Sequence, residues 1–375
     1  MSNINDYLLW RGDIPISDSF KFNEIDSMIL ARFSYLIFNK IDMQEKETIE
    51  SISKKMKDFD NDEFRYNGDK ELITNLGNSI RFKNLVVTDF IEKTDKKVEK
   101  QFSAITIHLS NHELYVSYIG TDASLVGWKE DCNMAFMKNV PAQYEGINYL
   151  TKIANKYPKS KIRIGGHSKG GNIAIYSAIS VSEKIQKRII RVSNYDGPGL
   201  DKAIVDNYED NGMLDKIITF IPQDSVIGRF LNHEEDIKIV QSIEKGIYQH
   251  DIYSWQLLSS DWIYMDKLTN SSEVVYNTVN EWLKNTSVEQ RKVFFDGLFE
   301  VFYSTSAGTF GEISSNLLKN APTLFKTYKG ISEEDRKTIN LMIKEFFKAY
   351  STALKENENQ KENLFKKLYS DLTQN

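Results

Sequence analysis

The sequence predicts an α/β chain built on a mainly parallel sheet, with helices added at both ends. Three observations predict it. Between about residues 100 and 260, short β-rich runs alternate with helical patterns, which implies βαβ units. On either side of that region, apolar residues recur at helical spacing. In its middle, a short apolar strand pattern passes through a glycine-rich turn directly into an amphipathic helix, at Lys161-Ile-Arg-Ile-Gly-Gly-His-Ser-Lys-Gly-Gly-Asn-Ile-Ala-Ile-Tyr176.

The 375 residues suffice for one large domain with insertions or for two domains, and 41% hydrophobic with 12% aromatic content supplies a sizeable core. A formal net charge of −5 lacks the basic footprint of a bulk nucleic-acid binder, so no nucleic acid is expected as partner. Cys132 is the single cysteine and can form no internal disulfide, which suits a reducing compartment. The N-terminus has no basic segment followed by an apolar run, so no signal peptide is expected. No stretch reaches the roughly 18 apolar residues that span a bilayer. The cytoplasm is the expected address.

Three segments follow from the patterning. Residues 1–100 read as a helical segment packed on the core, with Asn23 capping a helix that carries Ile25, Met28, Ile29, Phe33, Leu36 and Ile37 at helical spacing. A second, more polar helix is expected at about 45–59. Residues 101–260 read as the core. There Phe102–Leu109 and Leu114–Ile119 form a hairpin turning at Ser110-Asn111-His112. Lys161–Ile164, Arg188–Asn194, Lys216–Ile221 and Ile237–Val240 are the further strands, separated by helices such as Gln143–Lys156 and Asn172–Ser182. Residues 261–375 read as a helical cap or extension. Its stripes Phe294, Phe295, Leu298, Phe299, Phe302 and Ile339, Met342, Ile343, Phe346, Phe347 are expected in its core, with a lipid-facing or acyl-binding surface as the other reading.

The glycine-rich turn holds Gly166-His167-Ser168-Lys169-Gly170, a G-x-S-x-G pattern. In a nucleophile elbow the serine sits in a strained conformation between strand and helix with its hydroxyl exposed, and the small flanking residues let strand and helix approach. The alternatives, a phosphate loop G-x-x-x-x-G-K-[ST] or a dinucleotide loop G-x-G-x-x-G, do not fit. A serine nucleophile needs a base, almost always histidine. Of the five histidines, His108 lies in a strand pattern, His112 in the hairpin turn, His167 in the elbow and His233 in a solvated Asn-His-Glu-Glu-Asp turn. His250 follows the last strand, where this architecture delivers its base. The orienting acid should fall between Ser168 and His250 in the chain. Asp224, after the strand Lys216–Ile221, is the preferred candidate, and Asp196, in Tyr195-Asp-Gly-Pro-Gly199, is the alternative.

On these motifs the chain resembles the class 3 lipases, and more closely a bacterial family of uncharacterised lipase-like α/β hydrolases. Tyr118-Ile-Gly-Thr121 is similar to their oxyanion loop, Gly127-Trp128-Lys-Glu-Asp131 to the segment after it, and Gly166-His-Ser-Lys-Gly-Gly171 to their elbow. Tyr195-Asp-Gly-Pro-Gly199, Pro222-Gln-Asp-Ser225 and His250-Asp-Ile-Tyr253 follow in their order, and the opening Trp10-Arg-Gly-Asp13 is shared with the bacterial family. The resemblance covers about two-thirds of the chain and leaves the helical tail unexplained. It implies an α/β-hydrolase core and a serine hydrolase acting on carboxylic esters. Ser168 would be the nucleophile, Asp224 the acid and His250 the base. The backbone N–H groups of Thr121 and Lys169 would form the oxyanion hole. It implies no metal and no cofactor and a small-molecule ester or lipid substrate; the aromatic stripes of the tail leave room for peripheral membrane contact or a lid over the site, and oligomeric state stays open. Ile119 stands where class 3 lipases commonly carry arginine, and Lys169 where they carry leucine. A cation at Lys169 would favour an anionic substrate, unless it pairs with a local carboxylate. The other class of reading is a catalytically inactive, partner-binding protein on a hydrolase scaffold.

Overall fold

A computed structural model describes residues 2–122, 124–305 and 307–373. The chain forms two compact units, Met1–Asp122 with Lys138–Lys267, and Ala123–Met137 with Leu268–Asn375.

The first unit is built on an eight-stranded sheet: β1 (Lys46–Thr48), β2 (Val86–Asp95), β3 (Lys100–Ser110), β4 (Glu113–Ile119), β5 (Lys161–His167), β6 (Ile189–Tyr195), β7 (Ile217–Pro222) and β8 (Asp236–Val240). The strands lie side by side in chain order. From β1 to β4 they pair antiparallel. From β4 to β8 they pair parallel. The hairpin β3–β4 turns where expected, with Ser110 opposite Glu113. The first hundred residues are not wholly helical, because β1 and β2 lie within them and extend the sheet. The run Val86-Val87-Thr88-Asp89-Phe90-Ile91 is rich in strand formers, and it pairs antiparallel with β3.

Each face of the sheet is covered, as parallel strands require. On one face lie α1 (Ile4–Arg11), α2 (Glu24–Phe33), α3 (Ile49–Met56) and α4 (Asp69–Asn78), with Ile25, Met28 and Ile29 packed in one core with Ile105, Ile107, Tyr115 and Tyr195. Asn23 caps α2 as expected: its side chain accepts from the Asp26 N–H, and the Asp26 carboxylate accepts from the Asn23 N–H, each at 2.9 Å. The other face carries α6 (Pro141–Lys156) and α7 (Lys169–Ser180), whose Leu150, Ile153, Ile173 and Ala174 pack with Leu114, Val116, Ile162 and Ile164. Neighbours on one strand, Leu114 and Tyr115, thus enter opposite cores, the two-residue period of a strand. Short helices α8 (Glu183–Gln186) and α9 (Lys202–Val205) sit in the connections into β6 and β7, and a two-stranded ribbon of β9 (Leu257–Leu258) and β10 (Asp261–Trp262) follows β8.

The second unit is helical: α5 (Leu125–Asn133), α10 (Asn270–Lys284), α11 (Val288–Tyr303), α12 (Phe310–Ser315), α13 (Leu317–Gly330) and α14 (Glu333–Thr373). Trp282, Met342 and Ala349 form one buried cluster, with Phe294 and Phe295 packed against it. The Trp282 indole N–H donates to the Met342 carbonyl at 3.0 Å. The second predicted stripe splits: Ile339 and Met342 are buried, whereas Phe347 is 65% exposed and Ile343 42%. No helix among the described residues is long and apolar enough to cross a membrane.

Candidate active site

Strand β5 ends at His167 and helix α7 begins at Lys169, which leaves Ser168 alone at the corner. Its backbone has φ +59° and ψ −135°, a conformation that L side chains rarely adopt. Strain of this kind persists only when the surroundings hold it, and it concentrates at functional sites. Here the Ser168 N–H donates to the Tyr195 carbonyl at 2.9 Å, and the Ser168 carbonyl accepts from Gly171 N–H at 2.9 Å. The flanking glycines are steric necessities. A Cβ on Gly166 would collide with the Gly170 carbonyl, and one on Gly170 with the Tyr118 carbonyl of β4. The sharp turn therefore needs both glycines, and it leaves Ser168 partly exposed at its tip.

His250 is brought to this corner. Its ring centroid lies 4.4 Å from that of His167, the residue before Ser168, and its carbonyl accepts from His167 Nε2 at 2.8 Å. A carbonyl can only accept, so that bond places the His167 proton on Nε2. Burial, and then the facing His250, push His167 well below the ordinary histidine range, so it is neutral. Its Nδ1 is buried with no hydrogen-bond partner.

The acid that meets His250 is Asp196 rather than the preferred Asp224. His250 Nδ1 and Asp196 Oδ2 are 2.7 Å apart. The other carboxylate oxygen of Asp196 accepts from Ser225 Oγ at 2.6 Å and from the Gly228 N–H at 3.1 Å. Asp196 is 1% exposed and has a φ of +48°, so it too is held in a strained conformation. Asp224 instead accepts the Gly246 N–H at 2.6 Å, while its own N–H donates to Gln249 Oε1 at 2.8 Å. It braces the segment that delivers His250. Three residues past His250, Tyr253 donates to Asp69 Oδ1 at 2.8 Å, and the same oxygen receives Arg32 Nε at 2.9 Å and Nη2 at 2.6 Å. The His-x-x-Tyr spacing thus ties the histidine segment to α2 and α4.

The loop after β4 lies against the nucleophile. A Cβ on Gly120 would stand 3.1 Å from the Ser168 Cβ and 2.6 Å from the His167 carbonyl oxygen. Thr121 therefore follows directly on a residue in contact with the elbow. Lys169 opens α7, so its backbone N–H lies in the first turn of the helix, directly after Ser168. Its side chain is buried and donates to Gln101 Oε1 at 2.8 Å and to the Gln101 carbonyl at 3.1 Å. The ammonium is thus buried beside Gln101 of β3. His108, His112 and His233 lie elsewhere, with His233 Nδ1 on Glu235 Oε1 at 2.7 Å. Sequence reasoning assigned no role to Ser225, although it closes the Pro222-Gln-Asp-Ser225 motif, and missed Gly228, Gln249, Arg32 and Asp69, which lie outside the motifs.

A strained serine at a strand-to-helix corner of a mainly parallel sheet, with a histidine–carboxylate pair delivered beside it, defines a lipase-like α/β hydrolase. The description of one family, Mbeg1-like, matches residues 76–300, more than half of the chain, and the chain belongs to that family. No curated protein matches it. Among solved structures it is similar to the M37 lipase, at 15% identity and a TM-score of 0.36, over 64% of this chain and 84% of that one. The Lip2 lipase from Yarrowia lipolytica gives 12% identity and a TM-score of 0.32, over 49% and 72%. A Rhizomucor miehei lipase propeptide complex gives 14% and 0.34, over 57% and 69%.

Proposed function

We propose that this protein is a serine hydrolase that cleaves carboxylic esters, with Ser168 as nucleophile, His250 as base and Asp196 as orienting acid. The observation that carries the reading is the 2.7 Å bond from His250 to a fully buried Asp196 beside the strained Ser168. Asp196 fixes the tautomer that leaves Nε2 to accept a proton, and stabilises the imidazolium that forms. His250 takes the Ser168 proton as the oxygen attacks the ester carbonyl. The backbone N–H groups of Thr121 and Lys169 hold the oxyanion, each worth on the order of 3 kcal/mol. The tetrahedral intermediate expels the alcohol, which takes its proton from His250, and water then resolves the acyl-enzyme by the same route.

The substrate class proposed is a small-molecule ester or lipid, and the address the cytoplasm, on the lone-cysteine argument. A fluorophosphonate probe should label the wild-type protein and spare Ser168→Ala. Equal labelling of both, or of neither, would return the chain to the reading of an inactive, partner-binding scaffold.

A further inference from the structure

The segment just after α2 reaches the elbow from the far side of the sheet. Tyr35 is 1% exposed, and its ring lies 5.6 Å from that of His167. Its hydroxyl donates to the His167 carbonyl at 2.8 Å. The same oxygen lies against Gly120: a Cβ there would stand 2.0 Å from it. One hydroxyl therefore spans the peptide that leads into Ser168 and the peptide that leads into Gly120 and Thr121.

We propose that Tyr35 is a positioning residue that sets the geometry of the oxyanion hole, by locking the Gly120-Thr121 loop against the elbow. The proposal rests on the ester-hydrolase reading above. Tyr35 touches no reacting atom. Its ring contributes packing, next to Arg32 at 5.2 Å, and its hydroxyl contributes register between two loops that are far apart in the sequence. Two donors must converge on one oxygen within hydrogen-bond tolerance, so a loop freed by a few tenths of an ångström weakens the hole without unfolding the protein. The phenol is buried and held far above its ordinary range, so it donates at every working pH.

The test follows fluorophosphonate labelling of Ser168 in time, for wild type and Tyr35→Phe, at several probe concentrations. The amplitude counts folded molecules, and the limiting rate constant reads the hole. Removing a whole oxyanion donor costs about 10²–10³, so a displaced one is expected to slow the limiting rate about tenfold, with half-saturating probe concentration and amplitude unchanged. An equal limiting rate in the two proteins, or a loss confined to amplitude, would make Tyr35 ordinary packing and overturn the proposal. A wild-type protein that the probe never labels would overturn the hydrolase reading itself, and the proposal with it.

Discussion

Asp196 and Asp224 lie beyond adjacent parallel strands, and both satisfy the chain order of serine, acid, histidine. Asp224 takes the Gly246 N–H at 2.6 Å, so chain order alone does not pick the partner of His250. Asp196 is that partner. On the mechanism proposed, Asp196→Asn should lower kcat on a p-nitrophenyl ester by on the order of 10³–10⁴, because the amide favours the wrong tautomer. Asp224→Asn keeps an acceptor for the Gly246 N–H and should cost about 1 kcal/mol of positioning, roughly fivefold in kcat. Comparable losses in the two variants would remove Asp196 from the role. His167 makes a separate prediction through stability. An unfolded histidine titrates near 6.5, and His167 is held well below that in the fold. The unfolded chain then binds the extra proton first as pH falls. The neutral buried ring contributes its stability fully above about pH 6.5 and loses it as pH drops toward the folded value, with a slope of up to ~1.4 kcal/mol per pH unit. His167→Gln keeps an N–H donor for the His250 carbonyl and removes the titration. Its thermal midpoint should fall less than that of the wild type between pH 7.5 and 5.

Helices of the N-terminal segment hold the site from behind. Arg32 of α2, Asp69 of α4 and Tyr253 beyond His250 meet on one carboxylate oxygen, and the Arg32 and Asp69 side chains are 1% and 0% exposed. Breaking a buried pair by removing one partner strands the other charge and costs about 3–5 kcal/mol. Arg32→Met should therefore lower the unfolding free energy by about that amount in urea titrations; a change below about 1 kcal/mol would mean that water or rearrangement rescues Asp69. Helix α14 carries the opposite feature. Ile343, Phe347, Tyr350 and Leu354 stand at four- and three-residue intervals and are 39–65% exposed. A single apolar stripe at that spacing fits shallow burial in a lipid surface. Peripheral membrane contact through it predicts that the protein floats with liposomes and that Phe347→Asp with Tyr350→Asp sinks it. Flotation of both, or of neither, would remove the stripe from that role.

At the scale of the molecule, the covered sheet is what makes the strained corner possible. Ser168 can hold a φ of +59° because β5 lies between β4 and β6 and because Tyr195 of β6 accepts its N–H. The same sheet sets Gly120, Ser168 and Asp196 at the ends of three neighbouring strands, β4, β5 and β6, where a parallel sheet opens its crevice. Much of this was legible in the chain. Periodicity gave β3, β4, β6, β7 and β8 within two residues and β5 three residues short, glycine spacing gave the strand-to-helix corner, and elimination among five histidines pointed to His250, whose ring the fold sets against His167. Those signals are local, since steric demands at a corner and the period of a strand are written in neighbouring residues. The rest depended on residues far apart in sequence. β2 pairs with β3, and a distance between loops set which carboxylate meets His250. Lys169 turned inward to Gln101, and Tyr35, Arg32 and Asp69 reached the site through packing alone. The sequence by itself determined the strand-to-helix corner with a serine at its tip, because such a corner can be built from few residue types. Only the tertiary structure decided which carboxylate meets His250 and what holds the corner in register, because hydrogen bonds discriminate at tenths of an ångström between groups that a sequence places merely in the same neighbourhood.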